Sequence, residues 1–477
     1  MLRFFGLVLI AVLAAPALPG AAASAPADIT PEAAQRIDVA IRAATGGTKG
    51  LSPALSVAVV EQGRIVYERA FGVTDLAAKT PATTAARFRV ASVTKMFTAV
   101  AVMQLVEQGR IGLDAPLATY LPAAPHAREV TIRQLLTHTS GLWNYGDAAF
   151  SSGRVVTPTT PAAIVNWVGP RALDAKPGEK FGYSNTGYVL LGLVVEAVAH
   201  QPLARYERVH ILVPAKLNAT TVGDPQPGVP LAHGYMDATG TDALPYSSSW
   251  FYADGDIVST AADIARFDIA LMAGRLVKPA TFALMQSSAV PAPSMGAGVR
   301  YGLGLTMVTA GGISFVGHHG GVPGFEAENE LLPPDRFAIV VLSDAFDFHT
   351  AVVNAAVLQQ THPVLFAQRA ASRPAPATED PQITALARAT LGGLQQGKLD
   401  RSTLNDTMNA ALTPQALSAT AAQLAPLGAL QSLTFRSQEM AQGFSVYHYS
   451  ATFTSGQVLP LTLSIDKDGK VGGFVFS

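Results

Sequence analysis

Ser92-Val93-Thr94-Lys95, Tyr183-Ser184-Asn185 and His318-His319-Gly320 put a hydroxyl, an amine, a phenol, an amide and an imidazole into one chain, the last motif inside the glycine-rich stretch Gly317 to Gly324. Together these groups suit acyl transfer through a serine. A serine hydroxyl is a poor nucleophile at neutral pH and needs a base within hydrogen-bond reach, which a lysine one helical turn further along supplies. The phenol of Tyr183 can relay a proton with Lys95, and the amide of Asn185 can hold a substrate amide or carbonyl. The glycines let a strand edge come close to substrate and present a backbone N–H to a developing oxyanion.

A Ser-x-x-Lys pair alone says little, and the chain carries a second one at Ser464 and Lys467. Context separates them. Ser92 opens the segment Val93 to Val106, which is apolar on almost every face, ends at Gly109 and predicts a helix buried all round. Residues three apart share a face there, and the helix dipole favours negative charge at the N-terminal end. Ser464 falls on a predicted strand running into the turn Asp466-Lys467-Asp468-Gly469, where the same spacing gives the two side chains no reason to meet. Lys95 lies among Met96, Phe97, Val100, Val102 and Met103. A lysine without a role is rarely buried in such company, and a desolvated amine suits a neutral base.

The other motifs have structural readings beside the chemical ones. Ser184 or Asn185 can cap the helix that follows, which is compatible with a place in the site. Both His318 and His319 fit a His-x-Gly pattern. Strand alternation sends only one of them toward the site, and the sequence leaves open which. A paired-histidine metal site competes, but no acidic or third histidine ligand has recognisable spacing, so no metal is expected. His138 reads as a hydrogen-bonded structural histidine.

The elements that must position these groups run in a clear order. A helix is expected over Pro31 to Ala44, then a hairpin of Leu55 to Val60 and Ile65 to Phe71 around Glu61-Gln62-Gly63-Arg64. Helical segments follow at Thr131 to Thr137, Pro161 to Val168 and Thr186 to Ala199. Thr260-Ala261-Ala262-Asp263 has capping-box spacing ahead of a helix through Met272. Strands return at Tyr301 to Val308, Ile313 to Gly317 and Phe337 to Ser343, with a helix over Thr350 to Gln368. Strands, helices, then strands imply one sheet built from both ends of this region with a helical insertion between them. A proline-punctuated linker is expected at 371–381. Beyond it, helical patterns from Ile383 to Leu424 precede strands at Leu433 to Ser437, Phe444 to Phe453, Leu459 to Ile465 and Val471 to Phe476, a small α+β module over 382–477.

At 477 residues the chain exceeds what one core usually organises, so two domains are expected. Its 33 basic and 34 acidic residues nearly cancel, which gives no footprint for nucleic acid. Met1-Leu2-Arg3, the apolar run Phe4 to Leu18 and Ala21-Ala22-Ala23-Ser24 have the layout of a signal peptide over 1–23, with a mature protein from Ser24. Secretion or periplasmic residence is the expectation, with no stable membrane anchor after cleavage and contact with the cell wall. The chain has no cysteine, which excludes disulfides, thiolate metal sites and a cysteine nucleophile.

These motifs resemble the serine β-lactamase and penicillin-binding protein superfamily, in particular its branch of class C β-lactamases, D-alanyl-D-alanine carboxypeptidases, D-aminopeptidases and esterases. Thr131-Ile132-Arg133-Gln134-Leu135-Leu136-Thr137-His138-Thr139-Ser140-Gly141-Leu142, Pro177 to Asn185 and Gly317 to Phe325 carry the likeness, which covers about residues 35 to 365. The resemblance implies an α/β (α+β) β-lactamase-like fold, with an antiparallel sheet flanked by helices over residues 24–370. It implies that Ser92 is acylated, that Lys95 and Tyr183 exchange the proton, that Asn185, His318 and Gly320 contact substrate, and that the N–H groups of Ser92 and Gly321 form the oxyanion hole. No cofactor is implied. The substrate would be a D-amino-acid peptide, a β-lactam or a small ester. β-Lactamases of this branch carry lysine where this chain has His318, which weakens the case for efficient antibiotic hydrolysis. The alternative is a non-catalytic, penicillin-recognising or scaffolding module. The C-terminal module looks similar to accessory domains found on such hydrolases.

Overall fold

The computed structural model describes residues 29–45, 52–225, 230–296, 298–310, 313–346, 348, 350–372, 379–441, 444–455 and 458–476. The expected signal peptide, 1–23, lies outside them, as do residues 373–378 of the expected linker.

Strand Leu55–Glu61 shows how the main core is built. Successive side chains of a strand point to opposite faces. Val57 and Val59 share a core with Ile37 and Ile41 of helix Pro31–Ala44 and Val357 of helix Thr350–Thr361. Ala58 and Val60 turn the other way, into a core with Phe97 and Met103 of helix Thr94–Glu107 and Phe267 of helix Ala261–Met272. Both faces are covered, so Val57 to Val60 form an unbroken apolar run.

Among the described residues this sheet has eight strands, in the order Arg64–Phe71, Leu55–Glu61, Phe337–Ser343, Phe325–Leu332, Ile313–Val322, Thr306–Ala310, Val299–Tyr301 and Val290–Pro291. All neighbours are antiparallel. The chain leaves the sheet after Phe71 and returns at Val290, and the residues between supply the helices on the site's side. Several of these helices begin where local chemistry dictates. Thr131 and Gln134 form a reciprocal capping box, and Thr260 accepts from the N–H of Asp263. Among the described residues no single helix is long and apolar enough to cross a membrane.

Three expectations need correction. Tyr301 to Val308 is not one strand: the chain turns through Gly302 to Leu305, with Gly304 at φ +80°, and pairs again from Thr306. The helix expected over Thr350 to Gln368 is two, Thr350–Thr361 and Pro363–Ser372, because Pro363 has no N–H to donate and its ring crowds the preceding turn. The second of them runs to Ser372, into the expected linker. Strand Phe325–Leu332, fourth from one edge of the sheet and paired between Phe337–Ser343 and Ile313–Val322, was not expected at all. Glu326, Glu328, Asn329 and Glu330 obscure its apolar content.

Residues 381–476 build a core of their own. Leu391 and Leu394 of helix Pro381–Gln396 and Leu424 of helix Pro414–Leu424 pack with Tyr449, Phe453 and Leu463 of a four-stranded antiparallel meander, Leu430–Ala441, Phe444–Phe453, Val458–Ile465 and Val471–Phe476.

Candidate active site

The chain enters the site through a forced turn. Val90 donates its N–H to Ile257 O, and Ala91 takes a left-handed φ of 47°, a conformation an alanine adopts only when its surroundings impose it. Ser92 sits in the 3-10 turn Ala91–Val93 that feeds helix Thr94–Glu107, just before the α-helix rather than within it. Strand Ile313–Val322 is pressed against this turn. A Cβ on Gly320 would lie 2.2 Å from Val90 O and 2.9 Å from Ser92 N, so only glycine fits. Gly320 therefore packs beneath the Ser92 turn, while its neighbour Gly321 reaches the cavity wall.

Lys95 is 0% exposed. Its Nζ lies 3.0 Å from Ser92 Oγ and donates to Asp254 O at 2.8 Å. The rings of Tyr183 and Tyr188 flank it, with centroids 5.0 and 5.5 Å from Nζ. These hydrogen bonds and π-faces replace the water that a buried amine has lost. Tyr183 OH also lies 3.0 Å from Ser92 Oγ. The hydroxyl of Ser92 is thus bracketed by two groups able to take and return a proton.

Tyr183 and Asn185 are held by the segment around His138. The N–H of Ser184 donates to His138 Nδ1 at 3.1 Å, and the N–H of Gly182 donates to His138 O at 2.8 Å. The imidazole packs among Tyr183, Tyr301 and Tyr188, with ring centroids 4.2, 4.6 and 5.0 Å away. His138 Nε2 is buried without a hydrogen-bond partner among the described residues, so the expected full satisfaction holds only for Nδ1. Burial, reinforced by the charge of Lys95, pushes this imidazole well below its ordinary range and keeps it neutral. Asn185 opens helix Asn185–Ala199, and its N–H donates to Asn144 Oδ1 at 3.0 Å. Ser184 is the N-cap, without a side-chain cap bond.

Strand alternation resolves the two histidines. His318 is buried, with Nε2 2.9 Å from Tyr301 OH and Nδ1 against His319 O. His319 points the other way, half exposed and 3.1 Å from Glu326. Burial and the charge of Lys95 pull His318 down to about 3, so its ring is neutral. His318 supports the aromatic floor beneath Lys95 and is not on the wall of the cavity.

That cavity, of 480 Å³, opens beside Ser92 with Asn185 and Gly321 on its wall. Phe150, Val155, Leu244, Trp250 and Phe346 make most of the remainder apolar. Three polar residues that no motif pointed to also line it, Tyr145, Ser151 and Asp254. The phenol of Tyr145 lies 3.1 Å from both carboxyl oxygens of Asp254 and donates to Trp250 O as well. Burial pushes the Asp254 carboxyl up to about 7, against the pull of Lys95 and the Tyr145 hydrogen bond. The available sequence signal was faint: two acids, Asp254 and Asp256, within the otherwise apolar run Trp250 to Val258.

The second Ser-x-x-Lys copy is not brought together. Ser464 pairs with Gly473 on the meander, and Lys467 Nζ turns to Asp468 at 2.8 Å.

The chain is similar to known proteins in sequence and fold. The β-lactamase family model matches residues 40–362. Penicillin-binding protein 4* of Bacillus subtilis strain 168 is 29% identical over 334 residues, 66% of this chain and 72% of that protein. The D-amino acid amidase from Ochrobactrum anthropi SV3, in complex with L-phenylalanine amide, superimposes with a TM-score of 0.61 at 28% identity, covering 69% of this chain and 99% of the amidase. The octameric penicillin-binding protein homologue from Pyrococcus abyssi shares the fold over 93% of this chain and 98% of its own, with a TM-score of 0.59 at 23% identity. Fold and matches together define a serine hydrolase class built on an antiparallel sheet with helices on both faces. The chain belongs to the β-lactamase family.

Proposed function

We propose that this chain is an exported serine hydrolase that forms a covalent acyl-enzyme with an amide or ester and releases the acyl group to water. One observation carries the reading: Ser92 Oγ has the buried amine of Lys95 and the phenol of Tyr183 both 3.0 Å away. In the acylation step Lys95 and Tyr183 take the proton of Ser92, whose Oγ bonds to the substrate carbonyl carbon. The oxygen of that carbonyl becomes an oxyanion facing the N–H groups of Ser92 and Gly321. Collapse breaks the bond to the leaving group, which takes the proton back. Water then repeats the sequence against the ester, with the same pair as base and acid.

The apolar walls around Phe150, Trp250 and Phe346 favour a bulky apolar group beside the scissile bond. His318, neutral and engaged at both ring nitrogens, offers no positive charge to a β-lactam carboxylate, which favours peptides, amides and esters over β-lactams. Intact-protein mass tests the reading, after mixing wild type and Ser92→Ala with a fluorescent penicillin and with a p-nitrophenyl ester. Labelling or turnover by wild type and neither by Ser92→Ala is the expected result; silence of wild type with both reagents and with D-alanyl peptides would sink it. Export is checked on the secreted protein, whose N-terminus should be Ser24.

A further inference from the structure

Successive residues of a strand face opposite ways, so His319 and Gly321 share one face of strand Ile313–Val322. On strand Phe325–Leu332, Glu326 stands directly opposite Gly321 and Glu328 opposite His319. That register makes Glu326 the diagonal neighbour of His319, within reach of a long side chain. The two meet, with Glu326 Oε1 3.1 Å from His319 Nε2. The other carboxylate oxygen, Oε2, accepts from the N–H of Phe348 at 3.2 Å and from the N–H of Thr350 at 3.4 Å, where helix Thr350–Thr361 begins. One carboxylate thus ties strand Ile313–Val322 to the stretch that carries Phe346. On its other side Phe346 is tethered by its N–H, which donates to Tyr235 O at 2.9 Å. Its ring closes the cavity wall over Gly321: a Cβ on Gly321 would lie 3.2 Å from Phe346 Cε2 and 3.7 Å from His319 Cε1. Phe346 is 41% exposed, so its place depends on these backbone tethers more than on enclosure by a core.

We propose that Glu326 and His319 are positioning residues: paired, they latch the Phe346 ring over Gly321 and so set the preference of the cavity for bulky apolar acyl groups. The inference rests on the hydrolase reading above, in which the acyl group stays bonded to Ser92 beside this wall until water arrives. The latch is strongest when the imidazole is protonated, because a cationic N–H then donates to a carboxylate. Glu326 is mostly buried and His319 half exposed, so the proton exchanges with water while the carboxylate stays in place. Among the described residues, the titratable groups that act on His319 are Glu326 and Glu328 from the neighbouring strand and His318 from its own. Helix Thr350–Thr361 carries no charged side chain. Burial lowers the His319 imidazole, and the two glutamates outweigh it, so the group titrates above its ordinary value of 6.5. The latch is therefore closed in mild acid and slackens as pH rises through the value that His319 takes in the fold.

The test reads the ratio of kcat/KM for p-nitrophenyl phenylacetate to that for p-nitrophenyl acetate, from about pH 6 to about pH 9. Both esters share the leaving group and the proton-transfer groups around Ser92, so the pH dependence of the chemistry cancels in the ratio. In wild type the ratio should fall about 5-fold across this range. In Glu326→Gln, His319→Gln and Phe346→Ala it should lie near the low value throughout. A flat wild-type ratio overturns the proposal, and so does a ratio that still titrates in His319→Gln. Glu326→Gln slowing both esters equally with the titration intact also overturns it, since Glu326 would then act only through the fold. A second measurement is independent of turnover. In Ser92→Ala carrying isotope-labelled phenylalanine and histidine, the NMR signal of the Phe346 ring, assigned by its loss in Phe346→Leu, should shift with the same midpoint as the His319 ring. It should stay still in Ser92→Ala/Glu326→Gln. A Phe346 signal that ignores the His319 titration counts against the latch, whereas silence toward both esters with the coupled titration intact counts against the hydrolase reading alone.

Discussion

Two places in this chain spell Ser-x-x-Lys, and only one builds a site. At Ser92 and Lys95 the spacing falls where a 3-10 turn enters a helix, so the two side chains meet at 3.0 Å, inside a core that leaves Lys95 no other outlet. At Ser464 and Lys467 it falls across a strand and its hairpin turn. There the serine packs against Gly473 and the lysine turns to solvent beside Asp468. A motif is thus a statement about distance only once the local backbone is known. The lesson extends to the surroundings: the first copy is enclosed by groups whose protonation is shifted by burial, and the second by charges already in water.

The largest expected difference between the two is catalytic. Ser92→Ala should lower kcat by at least about 10⁴-fold and abolish the acyl-enzyme mass, and Lys95→Ala should cost about 10² to 10⁴-fold in kcat. Ser464→Ala and Lys467→Ala should leave kinetics and melting temperature unchanged. A loss of activity from either C-terminal variant would break the comparison.

The glycine facing each serine provides the next test. Gly320→Ala would push a methyl into Val90 O and the N–H of Ser92, against backbone that cannot swing aside. It should destabilise by about 1–3 kcal/mol and lower kcat by displacing the nucleophile. A Cβ on Gly473 would meet Ser464 Oγ at 3.2 Å, the end of a side chain that can rotate, so Gly473→Ala should be tolerated. Thermal melts with steady-state kinetics on both variants decide this, and equal losses would erase the distinction.

The smallest effect concerns pH. Asp344, buried and accepting from the N–H of Ala54, has its carboxyl pushed up to about 8 by burial. Its folded form holds a proton that the unfolded chain releases near the ordinary carboxylate range. The stability from that proton is complete below that range and is lost as pH rises through about 8. Asp254, up to about 7, acts in the same direction. His138 and His318 are pulled down and act oppositely, but only up to the ordinary histidine value of 6.5. Between about pH 6.5 and 9 the melting temperature should therefore fall, by roughly a few degrees. Asp344→Asn should flatten the slope, and a wild-type profile that rises over this window would show that the proton is not held.

Legibility followed the range of the forces involved. Helix Pro31–Ala44, the hairpin after it, the capped start at Thr260 and strand Val471–Phe476 were readable because caps, turns and apolar periods are local. Strand Phe325–Leu332 was not, because its Glu and Asn side chains find places only through neighbouring elements; Asn329, for instance, donates to Asp268 on a helix far along the chain at 2.9 Å. The break at Pro363 was visible in principle, and the long helical pattern masked it.

By itself the sequence determined the serine, lysine, tyrosine and asparagine of the candidate site, the buried helix that carries the first pair, and the strand, helix, strand order of the sheet. Those follow from residue type and spacing over a turn or two. Tertiary structure alone decided which histidine turns inward, that Gly320 packs beneath the Ser92 turn while Gly321 faces the cavity, and that Asp254 and Tyr145 line the same cavity as Ser92. Each depends on contacts between residues more than a hundred positions apart or on the phase of a strand within a sheet, and neither quantity is written in local pattern.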